Sequence, residues 1–326
     1  MRVLITDGAF AGVEAALRPV VARLGWELIV ASNTDDAAHH LRDCELLLLK
    51  NFELSSEQIN RATRLRGVQK LGLLTMNIDR EYLAGRGIAL RTLLLPSSAA
   101  VADHTMSLLL ALTRQLLPGA AAMRNPPSDV IPIVTDERHF AYNWAGLHTS
   151  ALDGKSLGLI GFGEVALQVA RRARAFGMTV RYAKRRPLPA DVERRLRVRC
   201  VPVNELLRDS DVVSIHVPQS PETEGLIGGD ELAMMKADAF LINTARGAVV
   251  DDAALLDSLR RGHLAGAGLD VFRVEPLPAT DPLLTAPRTV LTPHAAGAGP
   301  QALSDAIARA LRRWSATLRS ATHVPV

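Results

Sequence analysis

The sequence is short of cysteine, of aromatic residues and of long apolar runs, and each shortage excludes something. Two cysteines in 326 residues, Cys44 and Cys200, cannot form a disulfide framework, and neither has a CxxC partner. They fit a reducing compartment, so the expected location is cytoplasmic. No apolar run approaches the roughly 18–20 residues of a membrane-spanning helix, which argues against an integral membrane protein. The opening Met1-Arg2-Val3-Leu4-Ile5-Thr6 reads as a first strand rather than a signal peptide. The histidines lack zinc-type spacing and the cysteines are isolated, so no metal site is expected. Internal repeats and low-complexity tracts are also absent.

What is present is 48% hydrophobic residues, enough for real cores and incompatible with global disorder. The length suits two domains of ordinary size. The formal charge of +4 is unevenly spread. Residues 171–199 hold eleven Lys/Arg against two acids, Asp191 and Glu193, a local net of +9, which leaves −5 for the rest of the chain. Aromatic residues are only 4% of the chain, and this basic stretch holds just Phe176 and Tyr182. A nucleic-acid surface built by stacking on interleaved aromatics is therefore the weakest reading of it.

Short Val/Ile/Leu runs at 46–49, 157–160, 212–217, 240–242 and 290–291 are bounded by Gly, Asp, Pro or Asn and read as buried parallel strands. Helical patterns lie between them at 164–176, 204–209, 229–235 and 252–261. The alternation predicts an α/β fold with mostly parallel sheets. A long apolar helix is expected over 99–124, then a Pro-rich surface loop over 125–142. Pro293 to Pro300 forms a second break before a last helix over 301–318.

One segment, Leu157-Gly158-Leu159-Ile160-Gly161-Phe162-Gly163-Glu164-Val165-Ala166, runs from a strand through Gly-x-Gly-x-x-Ala into a helix. Gly161 permits a tight turn, Gly163 permits close approach of backbone N–H groups to a pyrophosphate, and small Ala166 permits close helix–strand packing. A purely structural glycine turn is the alternative. The strand ahead and the apolar face Val165, Val169, Ala173, Phe176 behind it favour a dinucleotide site. An NAD site carries an acid at the end of the next strand, about 20 residues on. Here that place holds Lys184, Arg185 and Arg186, which would pair with a 2′-phosphate. NADP(H) is therefore expected over NAD(H), a solvated basic turn being the alternative.

Three further segments end strands on reactive side chains: Asn243-Thr244-Ala245-Arg246-Gly247, Asp270-Val271-Phe272-Arg273-Val274-Glu275-Pro276 and Thr292-Pro293-His294. In an open α/β sheet, ligands bind beyond the carboxyl ends of the strands, so Arg246, Asp270, Glu275 and His294 are expected to gather there.

With Val101-Ala102-Asp103-His104-Thr105 and His216-Val217-Pro218, these segments resemble the D-isomer-specific 2-hydroxyacid dehydrogenases over nearly the whole chain. The expected reaction is hydride transfer between NAD(P)H and a 2-keto acid or D-2-hydroxy acid. Arg246, permanently charged and fork-shaped, suits a carboxylate and carbonyl. His294 suits proton transfer near neutral pH, and Glu275 would orient it and favour its protonated form. The resemblance implies the same three roles. It also implies that Phe162, Glu164, Val165, His216, Val217, Pro218, Thr223, Thr244, Ala245 and Asp270 contact the cofactor. It implies two Rossmann-like domains with doubly wound parallel sheets, the cofactor domain (99–294) inserted into a flavodoxin-like substrate domain (1–98 and 295–326), with the active site in the cleft between them. A homodimer follows from the same analogy. Partners are otherwise a small 2-keto or 2-hydroxy acid, with no nucleic acid and no membrane.

Leu73, Leu74 and Thr75, followed by Met76, occupy the loop where the family grips the substrate carboxylate through a glycine-rich turn. Leu74 and Met76 replace the second glycine and the first aspartate of that pattern, whereas Asn77-Ile78-Asp79 persists. The loop is expected to receive an apolar substrate tail. His39, His40, His139, His148, His263 and His323 read as surface or core residues, and His104 and His216 as structural or cofactor-contacting. The alternative function is a non-catalytic, dinucleotide-sensing or corepressor-like binding protein of the same fold.

Overall fold

The computed structural model describes residues 1–6, 11–130, 143–297 and 299–320. Residues 131–142 of the expected Pro-rich loop, His139 among them, lie outside the described residues, as does His323. The chain divides into two compact units, Met1–Ala100 with Gly297–Val326, and Val101–Ala296.

The first unit carries β1 (Arg2–Ile5), β2 (Glu27–Val30), β3 (Leu46–Leu49), β4 (Gly67–Leu71) and β5 (Ala89–Leu93). They pair in the order β2-β1-β3-β4-β5, every neighbour parallel. This is the flavodoxin-like order. Side chains alternate between two cores with the period of a strand. Val3, Ile5, Leu46 and Leu48 join the layer formed by helices Ala11–Arg23 and Pro300–Ser320, whereas Leu4, Leu47 and Leu49 face the opposite layer. A strand of four leucines, β3, is thus fully buried on both faces, as central parallel strands are.

The C-terminal helix Pro300–Ser320 returns the chain to this unit and completes its core. Ile307, Leu311, Trp314 and Leu318 repeat every three to four residues and form its buried stripe. The Trp314 ring is fully buried, its Nε1–H donates to buried Gln69 Oε1 at 3.0 Å, and the Arg91 guanidinium stands 4.4 Å over its centroid.

The second unit carries β6 (Ser156–Ile160), β7 (Thr179–Ala183), β8 (Arg199–Cys200), β9 (Val212–Ile215), β10 (Phe240–Asn243), β11 (Gly266–Leu269) and β12 (Thr289–Leu291). Their order is β12-β11-β10-β9-β6-β7-β8, again all parallel. Strand order reverses between β6 and β9, which makes the end of β6 a topological switch point. Ile160, Ile215, Asn243, Leu269 and Leu291 stand side by side in register. The next residue of each strand, Gly161, His216, Thr244, Asp270 and Thr292, therefore leaves the same edge of the sheet.

Three details differ from the sequence-based expectation. The single helix over 99–124 is two helices, Pro96–Thr113 and Leu116–Arg124, bent by 59°. The ring of Pro118 would strike the carbonyl of Arg114 in a continuous helix, and the chain instead turns left-handed at Gln115, with φ 48°. The strand expected to reach residue 217 stops at Ile215, so His216 and Val217 lie in the loop beyond it. The helix after the glycine turn ends at Ala175, and Phe176 is 44% exposed rather than on the buried face, because the chain turns at Gly177. No single helix among the described residues is long and apolar enough to cross a membrane.

Replacing Trp314 with Ala removes the largest side chain of the first core. The first unit is expected to lose about 3–5 kcal/mol in urea unfolding. A loss well under about 1 kcal/mol, of the size seen for isolated surface substitutions, would show that the helix does not belong to that core.

Candidate active site at the carboxyl edge of the seven-stranded sheet

The glycine turn after β6 meets two separate demands. Gly161 has φ +88°, and a Cβ there would lie 2.7 Å from the His216 carbonyl oxygen, so both conformation and packing require glycine. Its N–H donates to the Ala183 carbonyl at 2.9 Å. Gly163 is different, for its backbone is extended and an added Cβ would meet no protein atom within 4 Å. Nothing within the protein needs glycine at 163, and the space beside it is open. Helix Glu164–Ala175 starts there without a side-chain cap, and Ala166 is fully buried beneath it. An uncapped helix N-terminus beside open space fits a pyrophosphate. Phe162 packs on Tyr182 with ring centroids 4.7 Å apart, while Glu164 and Val165 begin the helix half-buried.

The basic cluster follows β7 directly. Lys184 Nζ donates to the Phe162 carbonyl at 3.1 Å, which ties it to the glycine turn, and burial lowers its pKa. Arg185 and Arg186 are exposed. Glu222, held below the usual carboxylate range chiefly by the Ser220 hydroxyl, also feels the charge of Arg185. Burial pushes the His216 imidazole down to about 3, so it is neutral at any working pH, and its Nε2 lies 2.9 Å from Ser214 Oγ. Its carbonyl and Val217 wall the turn at Gly161. The Thr223 hydroxyl donates to the Pro218 carbonyl at 2.7 Å and accepts from the Ser220 N–H at 2.8 Å, which closes the turn after β9.

On the other side of the switch point, buried Asn243 shapes the turn that carries Arg246. Its Oδ1 accepts from the Ala245 N–H and its Nδ2 donates to the Arg246 carbonyl, both at 3.0 Å. Thr244 is buried, with Oγ1 2.9 Å from Thr105 Oγ1. A Cβ on Gly247 would lie 1.9 Å from the Phe272 carbonyl carbon, so only glycine lets this turn press on the segment that leads to Glu275. The Arg246 side chain is exposed.

Glu275 and His294 form a hydrogen-bonded pair, His294 Nδ1 lying 2.7 Å from Glu275 Oε2. The second oxygen, Oε1, accepts from the Phe272 N–H at 2.9 Å. Burial raises the Glu275 pKa, but the His294 and Phe272 hydrogen bonds and the charges of His294 and Arg246 outweigh it, so the net shift is downward. An ionised carboxylate can only accept, so Nδ1 carries the proton and Nε2 is the ring position that exchanges one. His294 itself is left-handed, with φ 52°.

Asp270, fully buried, lies behind that turn. Its Oδ1 accepts from Thr292 Oγ1 at 2.6 Å and the Ala295 N–H at 2.9 Å, its Oδ2 from the Ala296 N–H at 3.0 Å, and its carbonyl from the His294 N–H at 2.8 Å. Sequence reading assigns no bracing role to Asn243, Thr105 or Thr292. Their one signal is position, since each is a polar residue at a strand end or facing one.

Arg246, Glu275 and His294 thus share one site, at the same sheet edge as the glycine turn and Lys184. Leu73, Leu74 and Thr75 belong to the first unit, after β4 and Gly72. The Thr75 carbonyl accepts from the Ile78 N–H at 3.1 Å, Asn77 Nδ2 donates to the Phe52 carbonyl at 2.6 Å, and Met76 is 47% exposed. Among the described residues, no group of His, Cys, Asp and Glu could hold a metal ion.

A sequence model of the D-isomer-specific 2-hydroxyacid dehydrogenase NAD-binding domain matches residues 106–296. A glyoxylate reductase of Korarchaeum cryptofilum (strain OPF8) is 37% identical over 263 residues, which cover 79% of this chain and 75% of that protein. A D-3-phosphoglycerate dehydrogenase of Bacillus subtilis (strain 168) is 33% identical over 82% of this chain, and the match spans 48% of that longer protein. A crystal structure of a Thermus thermophilus protein, 34% identical, covers 95% of this chain and 94% of that one, with a TM-score of 0.56.

The open space at Gly163 yields a direct test. Gly163→Ala is expected to leave the protein folded, because the added Cβ meets no protein atom within 4 Å, and to weaken NADPH binding by at least about tenfold in a fluorescence titration, by obstructing the approach to the helix N-terminus. Unchanged binding would show that the dinucleotide does not approach there.

Proposed function

The chain belongs to the D-isomer-specific 2-hydroxyacid dehydrogenase family and is an oxidoreductase of that family, and on that premise we propose that it reduces a 2-keto acid to a D-2-hydroxy acid with NADPH. The observation that carries the catalytic reading is the Glu275–His294 pair standing beside Arg246. Arg246 binds the substrate carboxylate and polarises its carbonyl. His294 donates its Nε2 proton to the oxygen that becomes the hydroxyl, and Glu275 stabilises the charged imidazole before that transfer. In the reverse direction His294 Nε2 accepts the hydroxyl proton. A bound nicotinamide supplies the hydride. The residues proposed to hold the cofactor are Gly161, Phe162, Gly163, Glu164 and Val165 at the pyrophosphate. His216, Val217, Pro218 and Thr223 line its far side, and Thr244, Ala245 and Asp270 stand at the nicotinamide end.

Preference for NADP(H) over NAD(H) rests on Lys184, Arg185 and Arg186, which stand where an acid would bind a ribose 2′-hydroxyl. The anchoring of Lys184 on the Phe162 carbonyl supports it, because that contact keeps a cation beside the glycine turn. Substrate side-chain preference is assigned to the loop Leu73, Leu74, Thr75 and Met76, where the apolar Leu73, Leu74 and Met76 favour branched or aromatic keto acids over glyoxylate. A homodimer is proposed from the exposed Leu116, Leu117 and Met123 of helix Leu116–Arg124, an apolar strip on the second unit. A cytoplasmic location is in keeping with two free cysteines, one of them buried.

A panel of small, branched and aromatic 2-keto acids, each assayed with NADPH and NADH, tests this. The expected result is a higher kcat/KM with NADPH and with the larger acids. Higher values with NADH or glyoxylate would overturn the cofactor or substrate assignment respectively, and no turnover at all would favour a dinucleotide-sensing binding protein. His294→Ala is expected to lower kcat by at least about a hundredfold while cofactor affinity stays within about threefold.

A further inference from the structure

We infer that His104 is a positioning residue of this site, acting through Thr292 and Asp270 on the turn that carries His294. The inference rests on the proposed role of His294. His104 lies on helix Pro96–Thr113, with Nε2 2.8 Å from Thr292 Oγ1 and 3.3 Å from Asp270 Oδ1. The direction of the bonds follows from counting protons. Thr292 has one hydroxyl hydrogen, and at 2.6 Å from the carboxylate it is given to Asp270. Its oxygen can then only accept from His104, so Nε2 of His104 carries a hydrogen. The chain of donors runs from the helix, through one hydroxyl, to a fully buried carboxylate.

That carboxylate organises the catalytic turn. The backbone N–H groups of His294, Ala295 and Ala296 all bond to Asp270. A left-handed conformation is unfavourable for a residue with a Cβ, and these bonds are what hold His294 in it. Losing the His104 donor leaves the Thr292 oxygen without its partner. Thr292, no longer braced, then shifts against Asp270 Oδ1, and the turn that carries His294 shifts with it. Among the described residues the polar partners of the His104 ring are Thr292 and Asp270, with no hydrogen bond to Glu275 or His294, so its effect is on orientation.

The experiment compares His104→Leu, which removes the donor, with His104→Gln, whose Nε2 can replace it. His104→Leu is expected to lower kcat about 10–100-fold, the range seen when residues that orient a reactive group are lost, with NADPH affinity and thermal midpoint close to wild type. His104→Gln is expected to restore kcat to within about threefold of wild type. Equal kcat in the two variants, high or low, would overturn the inference. Should His104→Leu fail to fold, Thr292→Val against Thr292→Ser makes the same comparison. The 15N spectrum of histidine-labelled enzyme reads His104 independently of turnover. Protonation at Nε2 is expected, and a neutral ring protonated at Nδ1 would contradict the network even if a keto acid is turned over. Absence of turnover in the wild type, with Nε2 protonated, would instead overturn the functional reading alone.

Discussion

A buried carboxylate is tolerable only when its lone pairs are filled, and Asp270 meets that condition with the turn that carries His294. Its side-chain acceptors take one hydroxyl and two backbone N–H groups, and its own carbonyl takes the N–H of His294. The turn 292–296 therefore cannot relax without exposing or orphaning a charge in the core. This constraint keeps His294 left-handed and directs its Nδ1 at Glu275. On the opposite flank, Gly247 fits against the Phe272 backbone with no room for a side chain, which brings the Arg246 turn onto the same segment. An arginine, a carboxylate and an imidazole from three strand ends are thus set in one place by backbone packing and one buried charge.

The common register of β6, β9, β10, β11 and β12 explains why residues far apart in sequence, such as Gly161 and His294, can cooperate. Five strands end on one row, so five successive loops open on one edge, at the reversal of strand order. The two halves of that edge differ in chemistry. Around β6 and β7 are an uncapped helix N-terminus, open space at Gly163 and a basic cluster, suited to phosphates. Around β10, β11 and β12 are the arginine and the imidazole–carboxylate pair, suited to a small acid that exchanges a proton. The charge excess of residues 171–199 is partly offset by surface ion pairs, Arg172 with Asp103 and Arg181 with Asp209, and Lys184 to Arg186 remain beside the glycine turn.

Strands β3, β6, β9, β10 and β12 were legible because buried parallel strands are continuous apolar runs, as at 46–49 and 157–160. Arg246 and His294 stood out as strand-end residues because each lies within four residues of an apolar run, 240–242 and 290–291, whereas Glu275 lies six residues beyond β11. The break at Gln115 was less legible: Pro118 and Gly119 mark it, but Leu116 and Leu117 continue the apolar pattern across it. The bracing role of Asn243 and the link from His104 to Thr292 were not legible at all. The second depends on which polar atoms the fold brings within 3 Å across 188 positions of sequence, and no local spacing encodes that; the first spans two and three residues and depends on the conformation of the turn.

The central claim, stereospecific hydride transfer from NADPH to C2 of a 2-keto acid, is tested most directly by isotope tracing. NADPH carrying deuterium at both C4 positions of the nicotinamide is incubated with the preferred 2-keto acid, and the product is resolved on a chiral column with mass detection. Hydride transfer within this family's stereochemistry predicts deuterium at C2 of the D-2-hydroxy acid. An unlabelled product, or label in the L-isomer, would contradict it.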